Sequence, residues 1–327
     1  MFKKLAVIGL GNISHRHRKN LRALFPKSCI IVMPTRERNI EPSGITNADK
    51  IASNIEELIS MRPDAAIVAS PATFHIEHAL KLVMARIPIL IEKPISSNLS
   101  KASKFLDVVN QSEVTVAVGY CLRYAPSMQF VKAYIEQDRL GTIYNVSVNV
   151  GQLLSDWRPI DYQNSVSANA SLGGGVLLEL SHELDYLRWL FGDFNVLFSQ
   201  LRNTRKFDLN VEEIADIVMV NSQGIVFNLH MDFVQCKAQR HCSIIGEKGR
   251  LDWDIAQNHV ELHDFCSSEV IFEVQDWQSN SMYLKMLVDF FAKVTQKKND
   301  CVAVDDAFRT VELIERIKHL STYGKKL

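Results

Sequence analysis

A chain of 327 residues is long enough for two ordinary domains, each burying its own core. Its 37 Lys and Arg residues balance 37 Asp and Glu residues, so no net field draws it to nucleic acid or to an anionic membrane, and neither is expected as a partner. Apolar residues make up 47 % and charged residues 23 %, the composition of a folded globular protein rather than a disordered one.

Lys4 to Ile8 is a short apolar run cut off by Gly9; it reads as a strand and is too short for the apolar segment of a secretory signal. From there to about residue 119, short apolar runs alternate with helical patterns. Strands are predicted at Cys29 to Met33, Ala65 to Ala69, Ile87 to Ile91 and Thr115 to Val118, and helices at Ile13 to Phe25, Asn54 to Met61, His75 to Ala85 and Leu99 to Gln111. This alternation predicts an α/β fold: a Rossmann domain over residues 1–119 with a doubly wound parallel sheet of five strands, binding its ligand beyond their carboxyl ends.

Beyond Tyr120 the pattern changes. The spacing predicts a helix over Pro126 to Gln137, a long strand over Thr142 to Gln152, an irregular stretch to Ala170 and a single helix over Gly175 to Phe191. Strands then follow one another at Asn195 to Arg202, Ile214 to Asn221, Ile225 to Val234, Arg240 to Gly246, Arg250 to Asp254 and His259 to His263, before a last helix over Val304 to Tyr323. Residues 120–327 are therefore expected to form a substrate-binding and oligomerisation domain of α+β class, with a mostly antiparallel open sheet carrying helices on one face. No run of about 18 apolar residues occurs, so no spanning helix is predicted. The six scattered cysteines suit a reducing compartment, and a cytoplasmic location is expected. The histidines form no HExxH or comparable set, and no metal is expected.

Gly9, Leu10, Gly11, Asn12, Ile13 and Ser14 stand where the first strand turns into the first helix, the context a dinucleotide fingerprint requires. Gly9 permits the tight turn, Gly11 lets the backbone approach a pyrophosphate at the positive end of the helix, and Ser14 takes the place of the third glycine. The second strand ends Met33, Pro34, Thr35, Arg36, Glu37, Arg38. No carboxylate ends the strand itself to take the ribose hydroxyls of NAD, and two guanidinium groups stand close by. NAD(P) is thus the expected cofactor, with NADP(H) favoured over NAD(H). The alternative is that Arg36 and Arg38 are solvated loop residues.

Gly9 to His17, Ser70 to His75, Glu92, Lys93, Pro94, Gly119, Tyr120, Arg123, Tyr124, Pro126, Leu140 to Ile143, and Gly173 to Gly175 followed by His182 and Asp185 resemble the Gfo/Idh/MocA oxidoreductase family over nearly the whole chain. Asp156, Trp157, Arg158, Pro159, Asp161 and Tyr162 are similar to members of surface-polysaccharide and nonulosonic sugar pathways. The resemblance implies a hydride exchange between nicotinamide and a carbinol or carbonyl carbon of a sugar or sugar derivative, such as a nucleotide sugar or sugar acid. It implies that Lys93 reaches both the nicotinamide side and the reacting oxygen, where an ammonium stabilises developing charge. Glu92 would orient it and Pro94 would fix the backbone after it. Ser70, Pro71, Thr73 and His75 would contact the cofactor ribose, and Arg123 the cofactor. His182 is the candidate general acid or base, and Glu179 and Asp185, three residues to either side, would lie near its face of one helix. Many members carry Asp where this chain has Leu178, which leaves the carboxylate partner of His182 open. Tyr124, Trp157 and Arg158 are further candidate substrate contacts, stacking on a ring or forking onto an acidic substituent; an ordinary oligomer-contact loop is the alternative for residues 156–164. A homodimer or homotetramer follows by the same analogy. A transient-redox NAD enzyme, eliminating or epimerising its sugar, is the second enzyme reading. A non-catalytic cofactor sensor on the same fold is the third reading, and Lys93 with His182 argues against it.

Overall fold

The computed structural model of the chain describes residues 2–36, 45–157 and 162–321. Two compact units emerge, 1–120 with 283–311, and 121–282 with 312–327.

The first unit opens with β1 (Lys4–Ile8), α1 (Asn12–Leu24), β2 (Cys29–Met33), β3 (Lys50–Ile51), α2 (Ile55–Ser60), β4 (Ala65–Val68), α3 (His75–Met84), β5 (Ile89–Glu92), α4 (Leu99–Asn110) and β6 (Val116–Gly119). Its strands pair in parallel in the order β3-β2-β1-β4-β5-β6, the doubly wound arrangement with its switch point at β1 and β4. The sheet has six strands where five are predicted from sequence: β3 is two residues long, too short to carry an alternating pattern. β1, β4 and β5 are almost wholly buried, as strands covered by helices on both faces must be.

The second unit contains α5 (Pro126–Glu136), β7 (Ile143–Gly151), α6 (Leu154–Trp157), α7 (Val176–Glu179), α8 (Ser181–Phe191), β8 (Phe194–Arg202), β9 (Ile214–Asn221), β10 (Val226–Asp232), β11 (Gln239–Gly246), β12 (Gly249–Asp254), β13 (His259–His263) and β14 (Ser268–Glu273). The strand order is β14-β13-β12-β11-β7-β10-β9-β8; β7 and β10 run parallel and every other pair antiparallel. Alternate residues, Val146, Val148 and Val150, Ile217 and Met219, Phe227 and Leu229, Ile244, Leu251 and Trp253, form one core with Leu177, Leu184 and Leu187 of the helices, the period-2 pattern of a sheet covered on one face.

Two helices close the chain, α9 (Asn280–Val294) and α10 (Val304–Leu320). Residues 283–311, which the sequence reading leaves in the second domain, belong to the first unit. Phe291 packs at 4.5 Å on Phe25 and 4.6 Å on Phe2, Lys293 Nζ donates to the Val116 carbonyl at 2.9 Å, and Val118 N–H donates to Val302 O at 3.0 Å. The return is made by aromatic burial and one added backbone bridge, neither of which has a local sequence pattern. Among the described residues no helix is long and apolar enough to cross a membrane.

Candidate active site

The nucleotide loop is built where β1 turns into α1. Gly9 has φ +111°, and a Cβ there would collide with the Ala69 carbonyl at the end of β4, so only glycine fits both the conformation and the approach. A Cβ on Gly11 would meet nothing within 4 Å. Among the described residues no side chain caps α1 at Gly11, which suits its first N–H groups to an anion such as a dinucleotide pyrophosphate. Asn12 and Ile13 form the first turn. Ser14 is buried, its hydroxyl donating to Gly9 O at 2.5 Å and accepting from Arg18 at 2.7 Å; the third motif position thus ties helix to turn.

Past β2, Thr35 and Arg36 are described; Glu37 and Arg38 lie outside the described residues. The Arg36 guanidinium stands 5.0 Å from the Phe74 ring, which itself stacks at 6.2 Å on His78. His78 Nδ1 is 3.1 Å from Ser70 Oγ. Arg36 is therefore held on the segment that follows β4, a partnership its spacing in sequence does not reveal. Pro71 precedes a 3-10 turn, Ala72–Phe74, that carries Thr73. His75 opens α3, wholly buried, its ring nitrogens 2.7 Å from Ser70 O and 2.8 Å from Pro94 O. Burial lowers its pKa, with the two carbonyls and Glu92 pulling the other way, and the ring ties the β4 end to the β5 end.

Glu92, Lys93 and Pro94 follow at the carboxyl end of β5, with the Lys93–Pro94 peptide in cis. Glu92 is 6 % exposed. His17 Nε2, from α1, donates to its Oε1 at 2.5 Å, and the Lys93 N–H reaches Oε2 at 3.3 Å. Its carboxyl group also lies against Gly119 of β6, where a Cβ would come within 3.2 Å. Burial by itself raises the Glu92 pKa; the His17 hydrogen bond, with Lys93 and His75 nearby, outweighs it and holds the carboxyl below its ordinary value. Sequence reasoning sets His17 among histidines without a role, although it ends the segment that opens at Gly9.

In the second unit the predicted single helix is broken. Leu180 leaves helical geometry (φ −99°, ψ 26°) and separates α7 from α8. Val176, Leu177, Leu178 and Leu180 are all buried, more than one helical stripe can present, and the break turns both segments to the core. Glu179 thus ends α7, while His182, 8 % exposed, lies in the first turn of α8. The one-helix spacing expected for these two residues does not exist. Asp185 accepts from Arg123 Nε at 2.9 Å and Nη2 at 2.6 Å, and the Arg123 guanidinium stands 5.5 Å from the Trp189 ring. Arg123, expected at the cofactor, is in this structure the two-point partner of the helix bearing His182. Tyr124 closes the same 3-10 turn, Cys121–Tyr124. Beside His182, Glu183 is fully buried and accepts from Arg240 Nε at 2.7 Å.

The loop before α7 is partly described. Arg158, Pro159 and Asp161 lie outside the described residues, as do the side chains of Trp157 and Asn164. Tyr162 packs edge-on at 5.9 Å against Phe207 of the β8–β9 connection, and Ala170 N–H donates to Asn210 at 3.1 Å. The hairpin that braces this loop comes from 40 residues later in the chain. Among the described residues no group of three or more His, Cys, Asp or Glu is placed to hold a metal ion.

Two family models match the chain: "Oxidoreductase family, NAD-binding Rossmann fold" over residues 3–120 and "GFO/IDH/MocA C-terminal domain" over 128–252. Glucose-6-phosphate 3-dehydrogenase of Bacillus subtilis is 30 % identical over 276 residues, 79 % of this chain and 76 % of the relative. Among solved structures, the WlbA dehydrogenase from Bordetella pertussis, in complex with NADH and UDP-GlcNAcA, superposes with a TM-score of 0.80 at 17 % identity, covering 98 % of this chain and 96 % of that one. UDP-N-acetylglucosamine 3-dehydrogenase from Acidithiobacillus ferrooxidans superposes with a TM-score of 0.78 at 17 % identity, covering 99 % of each. The chain belongs to the GFO/IDH/MocA family of oxidoreductases, with an NAD-binding Rossmann domain.

Proposed function

We propose that this oxidoreductase exchanges hydride between nicotinamide and a carbinol or carbonyl carbon of a sugar with an acidic or nucleotide substituent. The observation that carries this reading is the Glu92–Lys93–Pro94 turn, whose lysine follows a buried, ionised carboxylate on the same sheet as the open end of α1. The bound dinucleotide would supply the hydride acceptor or donor. Gly9, Gly11, Asn12, Ile13 and Ser14 hold its pyrophosphate; Ser70, Pro71, Thr73, His75, Glu92, Lys93, Pro94 and Arg123 complete its binding. Lys93 offsets charge on the reacting oxygen, and His182 exchanges the proton. Tyr124, Trp157, Arg158, Glu179, His182 and Lys93 contact the sugar. A role in surface-polysaccharide synthesis draws support from the nucleotide-sugar enzymes among its structural neighbours.

NADP(H) is the favoured form. Support comes from β2, which ends without a carboxylate and is followed by Arg36, held over Phe74, a guanidinium of the kind that forks onto a 2′-phosphate. A cytoplasmic location is supported by six free thiols. Self-association as a homodimer or homotetramer is supported by the bare face of the second sheet, where Phe198 and Ile245 are 52 % and 42 % exposed.

Fluorescence titration with NADPH and NADH tests the cofactor, and absorbance on a panel of glucose 6-phosphate, UDP-N-acetylglucosamine and free sugar acids tests the substrate. Sugar-dependent reduction or oxidation is the expected result. Nucleotide binding without turnover of any sugar overturns the dehydrogenase reading in favour of transient redox, and no binding overturns the cofactor assignment.

A further inference from the structure

His17 presents a specific arrangement of bonds. It is fully buried, its Nε2 is 2.5 Å from Glu92 Oε1, and its Nδ1 is buried with no hydrogen-bond partner among the described residues. A neutral imidazole has one N–H and one lone pair. Placing the N–H on Nε2 gives Glu92 its donor and leaves only a bare acceptor at Nδ1. An imidazolium would instead bury an unsatisfied, charged N–H, which is much more costly. His17 is therefore a neutral donor, and the negative charge of the pair stays on Glu92.

Among the described residues Glu92 has no other close donor of equal strength. From its own strand comes the Lys93 N–H at 3.3 Å; from β6 comes Gly119, with no side chain; from α3 comes His75, occupied by the carbonyls of Ser70 and Pro94. The titratable groups near the carboxylate, besides His17, are Lys93 and His75, while α9 brings Tyr283 to 6.2 Å from the His17 ring, with the Arg16 guanidinium 4.5 Å from the Tyr283 ring. His17 also shares α1 with Ser14, whose hydroxyl holds the nucleotide turn through Gly9 O.

We infer that His17 is a positioning residue of the reaction: it keeps Glu92 a fixed carboxylate beneath Lys93, so that the lysine works against a permanent negative charge seated on the nucleotide-binding helix. This rests on the assignment of Lys93 to the reacting oxygen. Glu92 without its donor would be a buried, poorly satisfied carboxyl and would take up a proton.

The test follows the carboxyl carbon of Glu92 by NMR in protein labelled with 13C-glutamate, the signal identified by its loss in Glu92→Gln, across about pH 5 to 9. Wild type and His17→Gln, whose amide supplies a donor at the same reach, keep Glu92 ionised throughout; His17→Leu brings its titration into the range, upward by about two units or more. With glucose 6-phosphate and NAD or NADP as probes, His17→Leu gains an acidic limb below which kcat falls about tenfold or more, while NADH affinity stays within about twofold. Should His17→Leu not fold, His17→Asn, too short to reach the carboxylate, replaces it. A Glu92 signal that stays ionised in the Leu variant overturns the inference, as does a kcat profile unchanged when the carboxyl does titrate. A wild type that turns over no sugar on the panel overturns the functional reading instead, a failure distinguishable because the carboxyl titration is read without turnover.

Discussion

Arg123 and Asp185 meet in a two-point ion pair whose side chains are 8 % and 1 % exposed, and the pair sets the position of the helix that begins one residue before His182. Both side chains are almost wholly withdrawn from water, so removing one costs the other a two-point, charge-compensating partner. Asp185→Asn is expected to destabilise the protein by about 3 to 5 kcal/mol, measured by denaturant unfolding. Arg123→Met combined with Asp185→Leu is expected to recover more than half of that loss. Equal losses in the single and double variants would mean that the pair contributes only packing.

The two glycines of the nucleotide turn are expected to part company on substitution. Gly9→Ala forces a Cβ into the Ala69 carbonyl at a positive φ, and should cost about 2 kcal/mol or more of stability together with nucleotide binding. Gly11→Ala meets open space, so thermal stability should hold while NADH affinity falls. Calorimetry and fluorescence titration on the same two proteins check this contrast.

Arg36 gives a prediction on cofactor choice. Removing the guanidinium over Phe74 by Arg36→Ala is expected to weaken NADPH about tenfold or more, through loss of a charge-assisted contact, and to leave NADH within about twofold. An equal loss for both nucleotides would assign Arg36 to structure rather than to the 2′-phosphate.

Lys93→Met is expected to lower kcat/KM by about 10² to 10⁴, with NADH affinity within about threefold, because an ammonium that offsets charge in the transition state contributes little to holding the ground state. Turnover within a few fold of wild type would remove Lys93 from the reaction.

His230 on the bare face of the second sheet predicts a pH dependence of stability. Its ring lies 2.9 Å from Asp232 and 2.6 Å from Asp216, and Asp216 also pairs with Arg202. The Asp232 hydrogen bond is the largest cause of a pKa raised above 6.5; partial burial opposes it and Asp216 adds to it. A raised pKa contributes stability that is fully present below about 6.5 and is lost as pH rises through the folded-state value. Wild type should therefore lose more Tm than His230→Gln between about pH 6 and 9, and parallel Tm curves for the two proteins would contradict the assignment.

The first unit was largely legible because parallel strands buried on both faces are near-continuous apolar runs, and β1 and β2 coincide with their predicted bounds. The chemistry-bearing motifs could be located for the same reason, since Gly9, Lys93 and Ser70 sit where runs end and helices begin. Besides the short β3 and α6, the elements β14 and α9 were not predicted. β14 is the exposed edge strand of its sheet, with little alternation to read. α9 does carry a helical spacing in its buried Met286, Leu287, Phe290 and Phe291.

Local pattern alone determined the dinucleotide turn, the doubly wound sheet and the switch to consecutive strands after Tyr120, whereas Lys93 and His182 were singled out through the resemblance to the family. Tertiary structure alone decided the partners: His17 for Glu92, Phe74 for Arg36, Asp185 for Arg123, and the return of residues 283–311 to the first unit. The break at Leu180 belongs with these, because it answers to how many apolar side chains the core must receive. The division has one physical origin. Periodicity records which face of an element avoids water, a property of each segment by itself, whereas a buried charge finds its partner through pairings between residues as much as 75 positions apart, which no local spacing encodes.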